Sequence, residues 1–238
     1  MPSSLEPTAR PVASVMFRCG MALNLGAPDR LAFDAASRHP NLPLAVLCDG
    51  ANGTPHGGAV AQAASHRVLQ ALEAGNTLSG QLLDAMSQEF DAQWPESGCT
   101  LLAFEANDHG VHITGVGDSF AELFAHRRGQ WDSEHQLDRH VDDEGHPTQL
   151  IGANVPISPH RCERRASTEV TCWAAFLMSD GGGAFLSTAD LRDGLLPRGP
   201  QTPCDHDLQF CAETLAALAV SRGSHDDVSV LMAWVQQP

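Results

Sequence analysis

Leu44-Ala45-Val46-Leu47-Cys48 runs apolar without interruption and then stops at Asp49-Gly50. An unbroken apolar run of this length, bounded by a turn dipeptide, is the pattern of a strand buried on both faces. The predicted strand covers Leu42–Leu47 and continues into Cys48. Its end matters most, because an aspartate stands where a rigid strand gives way to a glycine that lets the backbone bend. The same arrangement recurs along the chain. Phe176–Met178 runs into Ser179-Asp180-Gly181, and Ile113–Gly117 runs into Asp118-Ser119. Asp226-Asp227 stands immediately before Val228-Ser229-Val230. A carboxylate at a strand end is held rigidly yet can face a solvent-filled cleft. Several such groups brought together repel one another unless cations neutralise them. Hard divalent ions, Mg2+ or Mn2+, are the natural partners of a site rich in carboxylates and poor in histidine. Any one Asp-Gly on its own is a turn signal, and convergence of the four is for the fold to decide.

The order of elements around this strand is legible. Residues 1–10, rich in Pro and Ser, are expected to form a flexible lead-in, followed by a strand over Val12–Phe17. Two amphipathic helices are predicted, one over Val60–Leu72 with Ala61, Ala64, Val68 and Ala71 on its face, and one over Leu78–Phe90 with Leu82 and Met86. Gly75-Asn76 makes the turn between them. Strands follow at Cys99–Phe104, Val111–Val116, Ala121–Phe124 and weakly near Trp131, the first two joined by a hairpin at Asn107-Asp108-His109-Gly110. Residues 132–150 are polar and acidic and are expected as a loop or flap. Ala174–Met178 is another buried strand, Asp207–Ser221 a helix, and Val228–Val235 a closing strand. Cys204-Asp205-His206-Asp207 leads into that helix, with Asp205 or Asp207 expected at its cap. Strands in direct succession argue against a doubly wound parallel sheet. They predict an α+β fold of two mostly antiparallel sheets packed face to face with helices outside, one domain over residues 11–238.

Composition removes several function classes. The chain has 238 residues, of which 42% are hydrophobic, enough for a sizeable core. Its formal charge is −15, from 29 acidic and 14 basic residues, and protonating all 12 histidines would leave it negative. That sign disfavours a nucleic-acid surface, which needs a basic face. Every basic residue is arginine, so neither a Schiff-base lysine nor a P-loop lysine is available. The 7 cysteines contain no Cys-x-x-Cys pair, and Cys48, Cys99 and Cys172 sit in apolar runs where buried thiols are expected. The histidines between His109 and His160 show no zinc-type spacing and are expected at the surface. No run approaches the roughly 20 apolar residues of a membrane span, and no basic segment followed by an apolar stretch opens the chain. A cytoplasmic monomer with no nucleic-acid or membrane partner is expected.

Five short motifs carry a family resemblance. Leu47-Cys48-Asp49-Gly50-Ala51-Asn52-Gly53 resembles the Val-Cys-Asp-Gly-Met-Gly-Gly motif of metal-dependent protein phosphatases, the type 2C serine/threonine class. Gly98-Cys99-Thr100 is similar to the family's Gly-Thr-Thr, and Val116-Gly117-Asp118-Ser119 to its Val-Gly-Asp-Ser-Arg. Met178-Ser179-Asp180-Gly181 is similar to Cys-Ser-Asp-Gly. The run from Gly223 to Val230 parallels Gly-Ser-x-Asp-Asn-Ile-Thr-Val. The matches occur in the family's order and cover nearly the whole chain. The resemblance implies a bacterial member with a four-layer α-β-β-α sandwich and a two-metal cluster at one end. It implies that Asp49 bridges two Mn2+ or Mg2+ ions, that Asp180 and Asp226 hold one of them, and that the backbone carbonyl of Gly50 holds the other. Asp118 would belong to a third, weaker position. The implied activity is hydrolysis of phosphoserine or phosphothreonine in a phosphorylated protein substrate, by in-line attack of a water activated by the metals. No Cys-x5-Arg signature or Gly-x-Ser-x-Gly elbow offers a competing nucleophile.

The N-terminal part departs from the family's Arg-x-x-Asn-Glu-Asp. Setting Asp29 on the final Asp puts Pro28 at the Glu position and Asn24 at the Arg position. Arg18 and Arg30 are the candidates left for a clamp on substrate phosphate. Gly182, Gly183 and Ala184 also omit an aspartate that often follows Ser-Asp-Gly, which weakens the third metal position. Core ligands kept and clamp altered leave two readings open: an active phosphatase with divergent recognition, or a catalytically silent pseudophosphatase that serves as a phosphoprotein-binding or regulatory module.

Overall fold

Apolar strands that lack polar alternation need cover on both faces, and here each of two sheets receives it. The computed structural model describes residues 15–24, 33–195 and 203–237. Its elements begin β1 (Met16–Asn24), β2 (Asp34–Arg38), β3 (Leu44–Asp49), α1 (Gly57–Glu73) and α2 (Gly80–Gln93). A run of strands follows: β4 (Leu101–Asn107), β5 (Gly110–Val116), β6 (Phe120–Arg127), β7 (Gln130–Gln136), β8 (His160–Arg165) and β9 (Cys172–Met178). The chain ends with α3 (Asp180–Gly183), α4 (Thr188–Leu195), α5 (Asp205–Ser221) and β10 (Val228–Gln236). One sheet has the order β1-β10-β9-β6-β7 and the other β2-β3-β4-β5-β8, with antiparallel pairing throughout.

Three apolar clusters separate the layers. Leu47, Phe104, Ile113, Trp173, Leu177 and Leu231 fill the space between the two sheets. Leu44 and Val46, on the other face of β3, pack with Leu72, Leu83 and Phe90 of α1 and α2. Phe176, Met232 and Trp234 pack with Leu208 and Leu215 of α5. Successive residues of β10 therefore alternate between the central core and the α5 layer, yet both sets are buried, which is why the strand reads as one apolar run. Each fully buried leucine of this kind contributes about 1.5–3 kcal/mol. The result is the expected α+β sandwich with a helical layer outside each sheet.

Several sequence expectations need correction. No apolar run marks β2 or β8, whose residues are Asp34-Ala35-Ala36-Ser37-Arg38 and His160-Arg161-Cys162-Glu163-Arg164-Arg165. Both are edges of their sheet, and an edge strand with one solvated face tolerates charge. The strand expected over Val12–Phe17 lies instead over Met16–Asn24, while residues 1–14, including the lead-in, fall outside the described residues. The first part of the expected loop 132–150 belongs to β7. Among the histidines expected at the surface, His126 and His140 are buried. The cysteine expectation stands: among the described residues all are free, and only Cys204 is exposed. Asp207 is the capping acid of α5, accepting from the Cys204 N–H at 2.9 Å. Among the described residues no helix is long and apolar enough to cross a membrane.

Helix α5 lies directly on β1. A Cβ at Gly20 would stand 2.1 Å from the Leu208 carbonyl carbon and 2.2 Å from the Gln209 nitrogen, both backbone atoms that cannot rotate aside. Gly20→Ala is expected to destabilise the protein by about 1–3 kcal/mol, as overpacking does. A urea midpoint equal to that of the wild type would contradict this close approach.

Candidate active site

Both sheets deliver carboxylates to one end of the sandwich. Asp49 ends β3, Asp118 follows β5, Asp180 follows β9, and Asp226 precedes β10. Asp118, Asp180 and Asp226 line a single open cleft of about 510 Å³ with Phe120, Arg139, Phe185 and Ser224. Asp49 feels the charges of Asp34, Asp180 and Asp118, which places it at the base of the same group.

Hydroxyl bridges lock these strand ends together. The Thr100 hydroxyl accepts from the Asp49 N–H at 3.0 Å, and the Thr100 N–H donates to the Asp49 carbonyl at 2.7 Å. The same hydroxyl lies 2.7 Å from that of Ser119, the neighbour of Asp118. On the other sheet, Ser179 Oγ accepts from the Ser229 N–H at 2.9 Å and donates to the Asp227 carbonyl at 3.2 Å. That ties the turn carrying Asp180 to the one carrying Asp226. Gly50 packs so tightly that a Cβ would stand 2.5 Å from the Gly57 carbonyl carbon and 2.7 Å from the Phe33 oxygen. Only glycine lets the loop after Asp49 pass beneath the start of α1.

The electrostatics follow from burial and like charge. Burial first, then the charges of Asp34 and Asp180, pushes the Asp49 carboxyl well above the usual carboxylate range. Asp118 is pushed up to about 6 by burial and by Asp180, with Arg139 opposing. Burial and Asp226 raise Asp180, again against Arg139. Among the described residues, no three acidic, histidine or cysteine side chains are drawn together into a ready metal cage. Two of the carboxylates lining the cleft are instead turned to local donors. Asp180 accepts from the Gly181 N–H at 2.6 Å, and Asp226 takes the Asn52 amide on both oxygens at 2.8 Å.

The residues expected at the site fare differently. Asp49, Gly50, Asp118, Asp180 and Asp226 meet at one end of the sandwich. Arg18 does not: it pairs with Trp234, whereas Asn24 at the site end of β1 pairs with Val228. Six residues of strand separate them, about 20 Å, and the Arg18 guanidinium bonds the Phe17 carbonyl at 3.1 Å. Pro28, Asp29 and Arg30 lie outside the described residues.

A further acidic residue near the N-terminus, Asp34, sits directly across the ladder from Asp49. It is buried, with the Asp49 carboxyl and the Ser179 and Ser229 hydroxyls as its polar neighbours. Burial above all, with the charge of Asp227, pushes it up to about 6, while Asp49, Ser229 and Ser179 oppose the shift. Nothing in the sequence marks it, because β2 carries no apolar run and the pairing with Asp49 is a matter of register. Asn52 and Arg139 were likewise missed, since an amide and a guanidinium have no signature until the cleft brings them to the carboxylates.

No family model matches the chain, and no curated protein matches it in sequence. Solved structures do. A bacterial serine phosphatase superposes with a TM-score of 0.71 at 17% identity, over 94% of this chain and 99% of that one. The serine/threonine phosphatase Stp1 from Staphylococcus aureus gives 0.69 at 18% identity, over 92% and 94% of the two chains. The catalytic domain of the serine/threonine protein phosphatase PstP, solved with 2 manganese ions, gives 0.70 at 21% identity, over 94% and 100%. The chain has the fold of the bacterial serine/threonine phosphatases, the architecture of the type 2C class.

Asp34 supplies a pH test. Burial pushes its native carboxyl up to about 6, against about 3.9 for an unfolded aspartate, so the native state binds more protons between those values. Its contribution is favourable below about pH 4 and is lost as pH rises through the native value. Asp34→Asn should therefore gain stability over the wild type as pH rises from about 4 to about 7. Thermal unfolding in the presence of a chelator reads the difference, and a constant gap across that range would refute the assignment.

Proposed function

We propose that this chain is a divalent-cation-dependent protein phosphatase that hydrolyses phosphoserine and phosphothreonine. The observation that carries the reading is the set of aspartates held at strand ends around one open cleft. The donor set is all oxygen, as Mn2+ and Mg2+ require. The buried Asp34 carboxylate, directly opposite Asp49, marks a spot where negative charge awaits compensation. By analogy with the motifs, Asp49, Asp180, Asp226 and the Gly50 carbonyl would hold the ions. Asp118 would serve a third position. Such ions would offset charge on the phosphoryl group and supply an acidified water for in-line attack. The PstP catalytic domain, with its manganese ions, supports this reading.

The chain's own residues set the remaining terms. Thr100, Ser119 and Ser179 fix the strand ends, so little reorganisation accompanies ligand entry. Asn52 and the Gly181 N–H hold Asp226 and Asp180 until a cation takes their place. The cleft is open and shallow rather than enclosed. That shape suits a phosphorylated segment of another protein better than a small molecule, which is usually largely buried when bound.

Protein stripped of metal should hydrolyse para-nitrophenyl phosphate only when Mn2+ or Mg2+ is restored. Asp49→Asn and Asp180→Asn should each lower the restored rate by about 100-fold or more, the scale of losing one preorganised electrostatic group. A folded wild type inert with both cations would instead support a silent phosphoprotein-binding module. Faster turnover of phosphopeptides than of small phosphoesters is the expected preference.

A further inference from the structure

We propose that Arg139 is the clamp for the substrate's phosphoryl anion, the task for which Arg18 and Arg30 are the sequence candidates. The inference deepens the phosphatase reading and rests on it for the identity of the anion. Among the described residues lining the cleft, Arg139 is the one arginine, and the lining holds no other strong cation. A phosphate monoester entering beside Asp118, Asp180 and Asp226 meets strong negative charge, so a fixed cation at that rim is what the anion needs besides any metal.

The side chain is held but not used. Its guanidinium lies over the Phe120 ring, 4.0 Å from the centroid. A guanidinium held over an aromatic face keeps its fork of N–H donors free, and that fork can take two phosphate oxygens at once. Among the described residues it forms no hydrogen bond and no ion pair, although carboxylates surround it. The nearby Arg222 differs, because both its terminal nitrogens are engaged by Asp190 at 2.6 and 2.7 Å.

The backbone beneath Arg139 is fixed to the site. The His140 N–H donates to the Gly117 carbonyl at 2.8 Å, and the Gly117 N–H donates to His140 Nδ1 at 3.2 Å. Gly117 precedes Asp118, so clamp and carboxylate share one rigid support. Phe120 follows two residues later on β6. Ser224 also lines this cleft.

The competing account makes Arg139 a countercharge that merely relieves repulsion between Asp118 and Asp180. The two roles separate by calorimetry. Inorganic phosphate would be titrated into the wild type, Arg139→Ala and Arg139→Lys with excess Mn2+ present, and Mn2+ would be titrated separately into each metal-stripped protein. The clamp predicts phosphate binding weakened about 10- to 100-fold in Arg139→Ala, the scale of hydrogen bonds to a charged group. It predicts a smaller loss in Arg139→Lys, with Mn2+ affinity equal or tighter in both. Unchanged phosphate affinity in Arg139→Ala would overturn the proposal, as would a phosphate loss matched by a loss of Mn2+ binding. A wild type that binds no phosphate overturns it too. Phosphate binding that depends on Arg139 in a protein without phosphoester turnover would keep the clamp and overturn the catalytic reading, so the two failures are distinct.

Discussion

Asp34 and Asp49 face each other across the β2–β3 ladder, where directly opposed like charges are destabilising. Asp118, Asp180 and Asp226 add to the same end of the sandwich. Repulsion of this kind persists in a folded protein only if the surrounding structure over-determines the geometry. The sandwich does so with a central core of large apolar side chains and two helical layers, so that each charged strand end is anchored by a strand that cannot tilt independently. The charged cluster stands where the strands run out, and the cost of holding it there is spread over both sheets.

Small polar side chains make the coupling specific. Thr100 joins the end of β3 to the segment after β5, and Ser179 joins the segment after β9 to the start of β10. The Ser179 hydroxyl both accepts and donates, so one side chain satisfies two backbone groups without adding net charge. The Thr100 hydroxyl accepts from one backbone group while meeting the Ser119 hydroxyl. An acid or base in these places would deepen the electrostatic problem, and an apolar residue would leave buried backbone groups unpaired. The motif residues flanking the aspartates are thus as much a part of the site as the carboxylates.

The cleft's charge is not uniform. Arg139 holds down the carboxyls of Asp118 and Asp180 while leaving its own donors open, and Phe120 and Phe185 give the rim an apolar wall. A net negative chain thereby presents, at one place, a group of carboxylates beside a single guanidinium.

Much of this was legible in the sequence. The apolar run ending at Asp49, its counterparts at Asp118, Asp180 and Asp226, and the helical spacing of α1, α2 and α5 follow from local chemistry, because burial on both faces writes itself into consecutive residues. Strands β2 and β8 were illegible for the converse reason, since an edge strand answers to its neighbour's hydrogen bonds rather than to a core. The sequence by itself determined that Asp49, Asp118, Asp180 and Asp226 stand at strand ends and that the sheets are mostly antiparallel. Only the tertiary structure decided that Asp34 joins the group, that Arg18 lies far along β1, and that Arg139 reaches the cleft. Those outcomes depend on register and on loop paths between elements, which leave no periodic trace in the sequence.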